Sequence, residues 1–339
     1  METIVLMPSS QSKVCSKIFA LKFLPLFLLS LIFIQNELYG MQYEEKTIAF
    51  QFESNGDLLA GSLRLPKDMQ HPPLLVFMPG SGNSSYRTNY KGYLDATLHT
   101  LVADRYALLN FDKPGIGKSS GAWWDMDFEA LAKNAVDAIR YAKENFPIDP
   151  QKIGVIGHSQ GGWLVQIIAG TYPDEIQFGI SMAGSVTTVF EQDVQNAYSK
   201  IRCEGLDSLQ AMERAVSEVY KLYTTPTIRA EKKNDLHYRV IKGYDPTRAI
   251  RNIQRPVLFL FGENDPLVHA QSSVDKLKAI FKGDPPSLIQ WKILEGTDHS
   301  LYRIKENCFD GDVKKVPTSQ ELHKVMGNFI HKQFTLDRP

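Results

Sequence analysis

A serine, an aspartate and a histidine, Ser159, Asp265 and His299, each stand just beyond a short apolar run, in that order along a chain of 339 residues. Together these residue types perform one kind of chemistry: the imidazole takes the serine proton, the carboxylate orients the imidazole, and the activated oxygen attacks a carbonyl. Ser159 lies at the centre of Gly157-His158-Ser159-Gln160-Gly161, directly after Lys152-Ile153-Gly154-Val155-Ile156. Glycines two residues to either side permit a strand-to-helix turn too tight for a Cβ, and such a turn thrusts the hydroxyl out at its apex. The five-residue pattern recurs by chance, so its partners must give it meaning. Pro256 to Phe261 runs into Gly262-Glu263-Asn264-Asp265-Pro266, and Ile289 to Leu294 runs into Glu295-Gly296-Thr297-Asp298-His299. All three side chains therefore fall on loops leaving apolar strands.

Each choice has competitors. Glu263 and Asp298 rival Asp265, which is favoured by its place at the apex of its loop. His269, His323 and His331 rival His299, but they fall in segments that read as helices, where surface solvation accounts for them. His158 adjoins the serine and points away from it at a tight turn. A nucleotide site is a reading of another class, because Gly117-Lys118-Ser119 imitates the end of a phosphate loop. That pattern requires glycine where the chain has Asp112, whose carboxylate would repel phosphate. No His/Cys/Asp cluster has metal-ligand spacing, and no cofactor is implied.

Positioning three loops at one rim requires a sheet. Thr47 to Phe52 and Leu58 to Leu65, separated by Ser54-Asn55-Gly56-Asp57, predict a hairpin. Leu74 to Met78, Tyr106 to Phe111, Lys152 to Ile156, Phe178 to Met182, Pro256 to Phe261 and Leu288 to Leu294 predict short strands. Several are apolar throughout, which implies burial on both faces. Phe128 to Phe146 carries Leu131, Ala135, Ile139 and Ala142 at helical spacing, and Gly161 to Thr171 continues from the serine turn as a second helix. The alternation predicts an α/β fold with a doubly wound, mostly parallel sheet and a ligand site at the carboxyl edge of its strands. Between Val189 and Ile253 the alternation fails. A helical insertion over about 189–253 is expected there as a lid, or else as an ordinary pair of packing helices. Asp207 with Gln210 suggests a capping box, and Leu209, Met212, Val216, Val219 and Tyr223 suggest the buried stripe of the helix that follows.

At this point the chain resembles the α/β-hydrolase superfamily, and within it esterases related to dienelactone hydrolases and serine aminopeptidase-like hydrolases. The marks are Met78-Pro79-Gly80-Ser81-Gly82, Asn110 to Ser119, the serine turn, Tyr244-Asp245-Pro246 and Gly296-Thr297-Asp298-His299, in that order. Many relatives carry His-Gly where this chain has Pro79-Gly80. The resemblance implies a serine hydrolase acting through an acyl-enzyme, with the backbone N–H groups of Ser81 and Gln160 as oxyanion donors. Within it, Asp112 to Ser119 is a structural turn held by the local hydrogen bonds of Asp112 and Ser119. The expected substrate is a small carboxylic ester, probed first with short acyl chains. A thioester or peptide amide, and a noncatalytic binding protein on the same scaffold, are the alternatives. Trp123, Trp124 and Tyr86 are candidate aromatic walls or core residues.

Lysine plus arginine and aspartate plus glutamate both number 38, and neither sign forms a long block. That balance gives no electrostatic footprint for nucleic acid. No repeat or low-complexity linker divides residues 41–339, read as one hydrolase domain. Residues 1–40 are different: Lys13, Lys17 and Lys22 precede the apolar run Phe23 to Ile34, then Gln35-Asn36-Glu37 and Gly40. This layout predicts a signal peptide and export, with an uncleaved membrane anchor as the alternative. Cys15 precedes the apolar run and cannot be a lipidated cysteine at a cleavage site. Cys203 and Cys308 would then meet an oxidising compartment, where they either pair or stay free.

Overall fold

In the computed structural model of the protein, residues 46–67, 69–87, 91–99, 105–224, 233–304 and 320–335 are described. The leader or anchor expected over 1–40 lies outside them, as does Cys308. Among the described residues, no helix is long and apolar enough to cross a membrane.

Eight strands form one sheet in the order β1-β2-β4-β3-β5-β6-β7-β8. The strands are β1 Lys46–Ser54, β2 Asp57–Leu65, β3 Leu74–Met78, β4 Ala107–Phe111, β5 Ile153–His158, β6 Phe178–Met182, β7 Val257–Gly262 and β8 Ile289–Leu294. β1 pairs antiparallel with β2, and β2 antiparallel with β4; every later pairing is parallel. The hairpin turns at Asn55 and Gly56, both at positive φ (52° and 85°), as a two-residue connection between twisted strands requires.

Because side chains alternate along a strand, the central strands feed two cores. Leu74, Val76, Met78, Ile153 and Val155 join one, with α1 (Phe128–Asn145), α2 (Gln160–Thr171) and α7 (Ala270–Phe281). Leu75, Phe77, Ile156 and Ile180 join the other, with Leu322, Met326 and Ile330 of α8 (Gln320–Thr335). Burying each such side chain contributes about 1.5–3 kcal/mol, which is why the all-apolar strands sit at the centre. Helices on both faces and the parallel strands make this an α/β-hydrolase fold.

Between β6 and β7 the chain forms α3 (Val189–Cys203), α4 (Ser208–Thr224), α5 (Lys233–Ile241) and α6 (Thr247–Arg251). The reciprocal capping box is at Thr188 and Glu191 on α3; Asp207 caps α4 through the Gln210 N–H alone among the described contacts. The expected stripe of α4 is corrected in part: Val219 and Tyr223 pack inward as expected, but Leu209, Met212 and Val216 do not. Ala211, Ala215 and Val219 face α3 and share a small core with Val194 and Ile201, while Leu209, Met212 and Val216 are 69%, 40% and 42% exposed. Residues 211, 215 and 219 lie one turn apart, and their small side chains let the two helices approach closely. Size, not hydrophobicity alone, selected the buried face. Tyr223 of α4 and Tyr238 of α5 both donate to Asp193 of α3, at 3.2 and 2.8 Å, tying the three helices together.

Candidate active site

Ser159 stands between β5 and α2 with φ 55° and ψ −116°, a left-handed conformation that a non-glycine residue adopts only under constraint. The constraint comes from both sides. The Ser159 N–H donates to the Met182 carbonyl of the neighbouring strand, and the Gly162 N–H donates back to the Ser159 carbonyl, each at 2.8 Å. A Cβ on Gly157 would lie 2.0 Å from the Gly161 carbonyl oxygen, and one on Gly161 would lie 2.2 Å from that of Met78. Both glycines are therefore dictated by the close approach of backbones, and the serine side chain stays accessible.

The parallel pairing of β7 with β8 places Gly262 opposite Leu294, so the loops carrying Asp265 and His299 emerge side by side. Their backbones are stitched together: Glu263 N–H to Leu294 O at 3.0 Å and Asn264 N–H to Thr297 O at 2.9 Å. The outcome is a continuous relay. His299 Nε2 lies 2.9 Å from Ser159 Oγ, and His299 Nδ1 lies 2.8 Å from Asp265 Oδ2. Asp265 Oδ1 accepts from the N–H groups of Leu267 and Val268 at 2.8 and 2.9 Å, so the carboxylate has one orientation. Burial pushes the His299 imidazolium down, but the Asp265 charge and hydrogen bond, with help from Asp298, outweigh it and hold the group above its ordinary value.

The competing acids are otherwise engaged. Glu263 accepts from the Gly296 N–H at 2.9 Å, and Asp298 Oδ1 accepts from the N–H groups of Ser300 and Tyr302. His269 caps α7 and meets Ser272, away from the serine. His158 does turn from Ser159, yet it is not idle: its Nε2–H donates to the His299 carbonyl at 2.9 Å. Burial, then the nearby His299, pull His158 down to about 3, so it stays neutral.

Gly80 and Ser81 follow β3, beside the first residue of α2, Gln160. The Gln160 N–H is among those a helix start leaves without an intrahelical partner. Two residues that sequence reasoning did not single out converge here. Lys113, buried after β4, donates from Nζ to Gly80 O at 2.8 Å and reaches Gln160 Oε1 at 3.5 Å. His237 of α5 lies 2.7 Å from Gln160 Nε2. An ammonium has no lone pair to offer, so the Gln160 oxygen faces Lys113, its NH₂ faces His237, and His237 accepts as a neutral ring. Burial, then the Lys113 charge, pull His237 down to about 4, in keeping with that role. The sequence signal for Lys113 was a charged pair, Asp112-Lys113, at the end of a buried strand whose one polar residue is Asn110; His237 left none.

Trp123 belongs to the core, with its ring beneath the Lys113 ammonium at 4.6 Å and against His237 at 4.8 Å. Trp124 is half-buried; Tyr86 is buried and accepts from Arg87 Nε. The loop from Asp112 to Ser119 is a structural turn. Ser119 Oγ donates to Asp112 O and accepts from the Ala60 N–H, while Ser85 donates to Asp112 Oδ1. Lys118 is exposed, and the Asp112 carboxylate is buried within the turn.

Residues 74–306 match the model of the family described as serine aminopeptidase, S33. The chain belongs to this family. Among curated relatives, an acetylxylan esterase of Coprinopsis cinerea is 27% identical over 142 residues, 40% of this chain. The chain spans only 37% of that relative's length. A poly(3-hydroxyalkanoate) depolymerase of Ectopseudomonas oleovorans is 25% identical over 58% of this chain and 69% of its own. Solved structures agree on the fold of this S33 family member. Est1E of Butyrivibrio proteoclasticus, solved with ferulic acid, has a TM-score of 0.56 at 19% identity, covering 85% of this chain and all of that one. A Pyrococcus furiosus esterase has a TM-score of 0.55 at 16% identity, covering 86% and 93%.

Proposed function

We propose that the protein is a serine hydrolase that cleaves small carboxylic esters through an acyl-enzyme. The observation that carries this is His299, bonded through one ring nitrogen to Ser159 and through the other to a fixed Asp265. In this reading His299 takes the hydroxyl proton as Ser159 attacks the ester carbonyl, then returns it to the departing alcohol. Asp265 keeps the proton on Nδ1, which leaves Nε2 free to accept, and steadies the imidazolium. The charge forming on the carbonyl oxygen meets the N–H groups of Ser81 and Gln160, and the α2 amino terminus favours the anion. Water then attacks the acyl-enzyme by the same route.

Esters come first as the substrate class because both curated relatives are named for the cleavage of ester-linked materials, and short acyl chains are our first choice among them. The insertion α3 to α6 acts as a lid that sets acyl and alcohol preference; its support is that α5 reaches the residue after the nucleophile through His237. The family's description as a serine aminopeptidase supports a second reading, amide hydrolysis, by the same tetrahedral route. Export through the 1–40 leader, with the membrane reached only if that segment stays uncleaved, is supported by Cys203, which is disulfide-bonded. Its partner lies outside the described residues.

A fluorophosphonate probe followed by peptide mapping tests the reading, alongside a panel of p-nitrophenyl esters, thioesters and aminoacyl amides. Labelling at Ser159, lost in Ser159→Ala, with fastest turnover on short esters, is the expected result. A protein that takes no label and turns over nothing is a binding protein on a hydrolase scaffold.

A further inference from the structure

We propose that Lys113 is a positioning residue for the oxyanion hole: held between the Gly80 carbonyl and the Gln160 side chain, its ammonium aims and polarises the Gly80–Ser81 peptide. This rests on the hydrolase reading above and adds a part that the triad chemistry does not require.

The first ground is cost. Lys113 is 3% exposed, and an ammonium taken from water is expensive unless it is well paired. What surrounds it is a carbonyl oxygen at 2.8 Å, an amide oxygen at 3.5 Å and the Trp123 ring at 4.6 Å. These are partners for direction more than for neutralisation. The second ground is peptide geometry. Among the described residues no peptide bond is cis, so the Gly80 carbonyl and the Ser81 N–H point in opposite directions across one plane. Pinning the carbonyl on Lys113 fixes where that N–H points. Pro79, preceding it, has no N–H and no polar side chain to do so from within the loop.

The third ground is that one cation contacts the peptide that carries one proposed oxyanion donor and the side chain of the residue that carries the other. Its Nζ holds the Ser81 peptide by one contact and the Gln160 side chain by another, while Gln160 is fixed on its far side by His237 of α5. A positive charge hydrogen-bonded to the carbonyl of a peptide withdraws electrons from its N–H and so strengthens the hydrogen bond that N–H gives to the oxygen that becomes negative. A neutral isostere would keep the packing and lose both the aim and this polarisation.

The test uses the full chain with Lys113→Met and Lys113→Gln. Measured are kcat and KM on p-nitrophenyl acetate, affinity for phenylboronic acid as a mimic of the tetrahedral adduct, fluorophosphonate labelling, and the melting curve. A charge-assisted hydrogen bond of this kind corresponds to a loss of about ten- to a hundredfold in kcat. The loss is expected with KM within about threefold, boronate affinity falling by the same factor as kcat/KM, and an unimpaired melt. Lys113→Gln, which keeps a neutral donor, should fall between, and it carries the test if Lys113→Met does not fold.

A pH profile separates positioning from packing. Burial pulls Lys113 down to about 7, so wild-type kcat should decline on the alkaline side, and the variants should lack that decline. The charged and titratable groups around it are its neighbour Asp112, Arg87 paired with that carboxylate, and His237 of α5; His237 is neutral throughout this range. A folded Lys113→Met with kcat within threefold of wild type overturns the proposal. So does a loss confined to KM with boronate affinity intact, or an alkaline decline that the variants retain. A wild-type protein that neither labels at Ser159 nor hydrolyses any ester removes the hydrolase reading and this inference together.

Discussion

Replacing Asp265 by asparagine changes little volume, yet the surroundings determine which way the new amide must face. Asp265 Oδ1 accepts from two N–H groups, those of Leu267 and Val268, while Oδ2 faces His299 Nδ1 alone among the described contacts. In Asp265→Asn the amide oxygen stays with the two donors, because turning the NH₂ toward them would bring donors together and forfeit both bonds. The NH₂ then faces His299. Nδ1 must become the acceptor, the proton moves to Nε2, and the ring now donates to Ser159 instead of accepting from it. Loss of the correct tautomer in such a relay lowers kcat by about 10⁴, near 5.5 kcal/mol of transition-state stabilisation. The stabilising charge on His299 disappears as well, so its titration should fall below the wild-type position. Initial rates on p-nitrophenyl acetate across pH, with a melting curve to establish folding, measure both effects. A folded Asp265→Asn enzyme within tenfold of wild type would refute the tautomer argument and return Asp298 or Glu263 to consideration.

Other outcomes follow from the same contacts. Turnover requires neutral His299, and its net shift is upward, so kcat/KM of the wild type should fall on acidification through a midpoint above the ordinary histidine value near 6.5; a midpoint below that value contradicts the Asp265 contribution. Val219→Ala should cost about 2 kcal/mol in denaturant unfolding, whereas Val216→Ala, one turn away and 42% exposed, should stay within about 0.5 kcal/mol. Equal costs would mean that the α4 faces are assigned wrongly. Cys203→Ser removes a disulfide and should destabilise by about 2–4 kcal/mol, with reductant lowering the wild-type melt but not the variant's. A wild-type melt indifferent to reductant would show that the bond contributes nothing.

Much of this site was legible because it is local. Gly157 to Gly161 specifies its own turn, since the clash each Cβ would meet involves backbone that any strand-turn-helix brings near. The strands were legible for a related reason: a run such as Leu74 to Met78, apolar at every position, is stable only between two covered faces, and its ends then fall at the loops. Order along the chain did the rest, because parallel strands deliver successive loops to one edge.

Tertiary structure decided what depends on distance. Which carboxylate meets His299 turned on the register of β7 against β8, which carries Asp265 to the ring while the turn after His299 occupies Asp298. Which face of α4 is buried turned on how closely α3 approaches, and small alanines won over larger apolar neighbours that the periodicity could not rank. Lys113, Gln160 and His237 lie 47 and 77 positions apart in pairs and meet only through the packed edge of the sheet and the inserted helices. Residue types and spacing name the chemistry of the triad; a buried charge acquires its meaning from the partners that folding brings to it, and no local pattern encodes those.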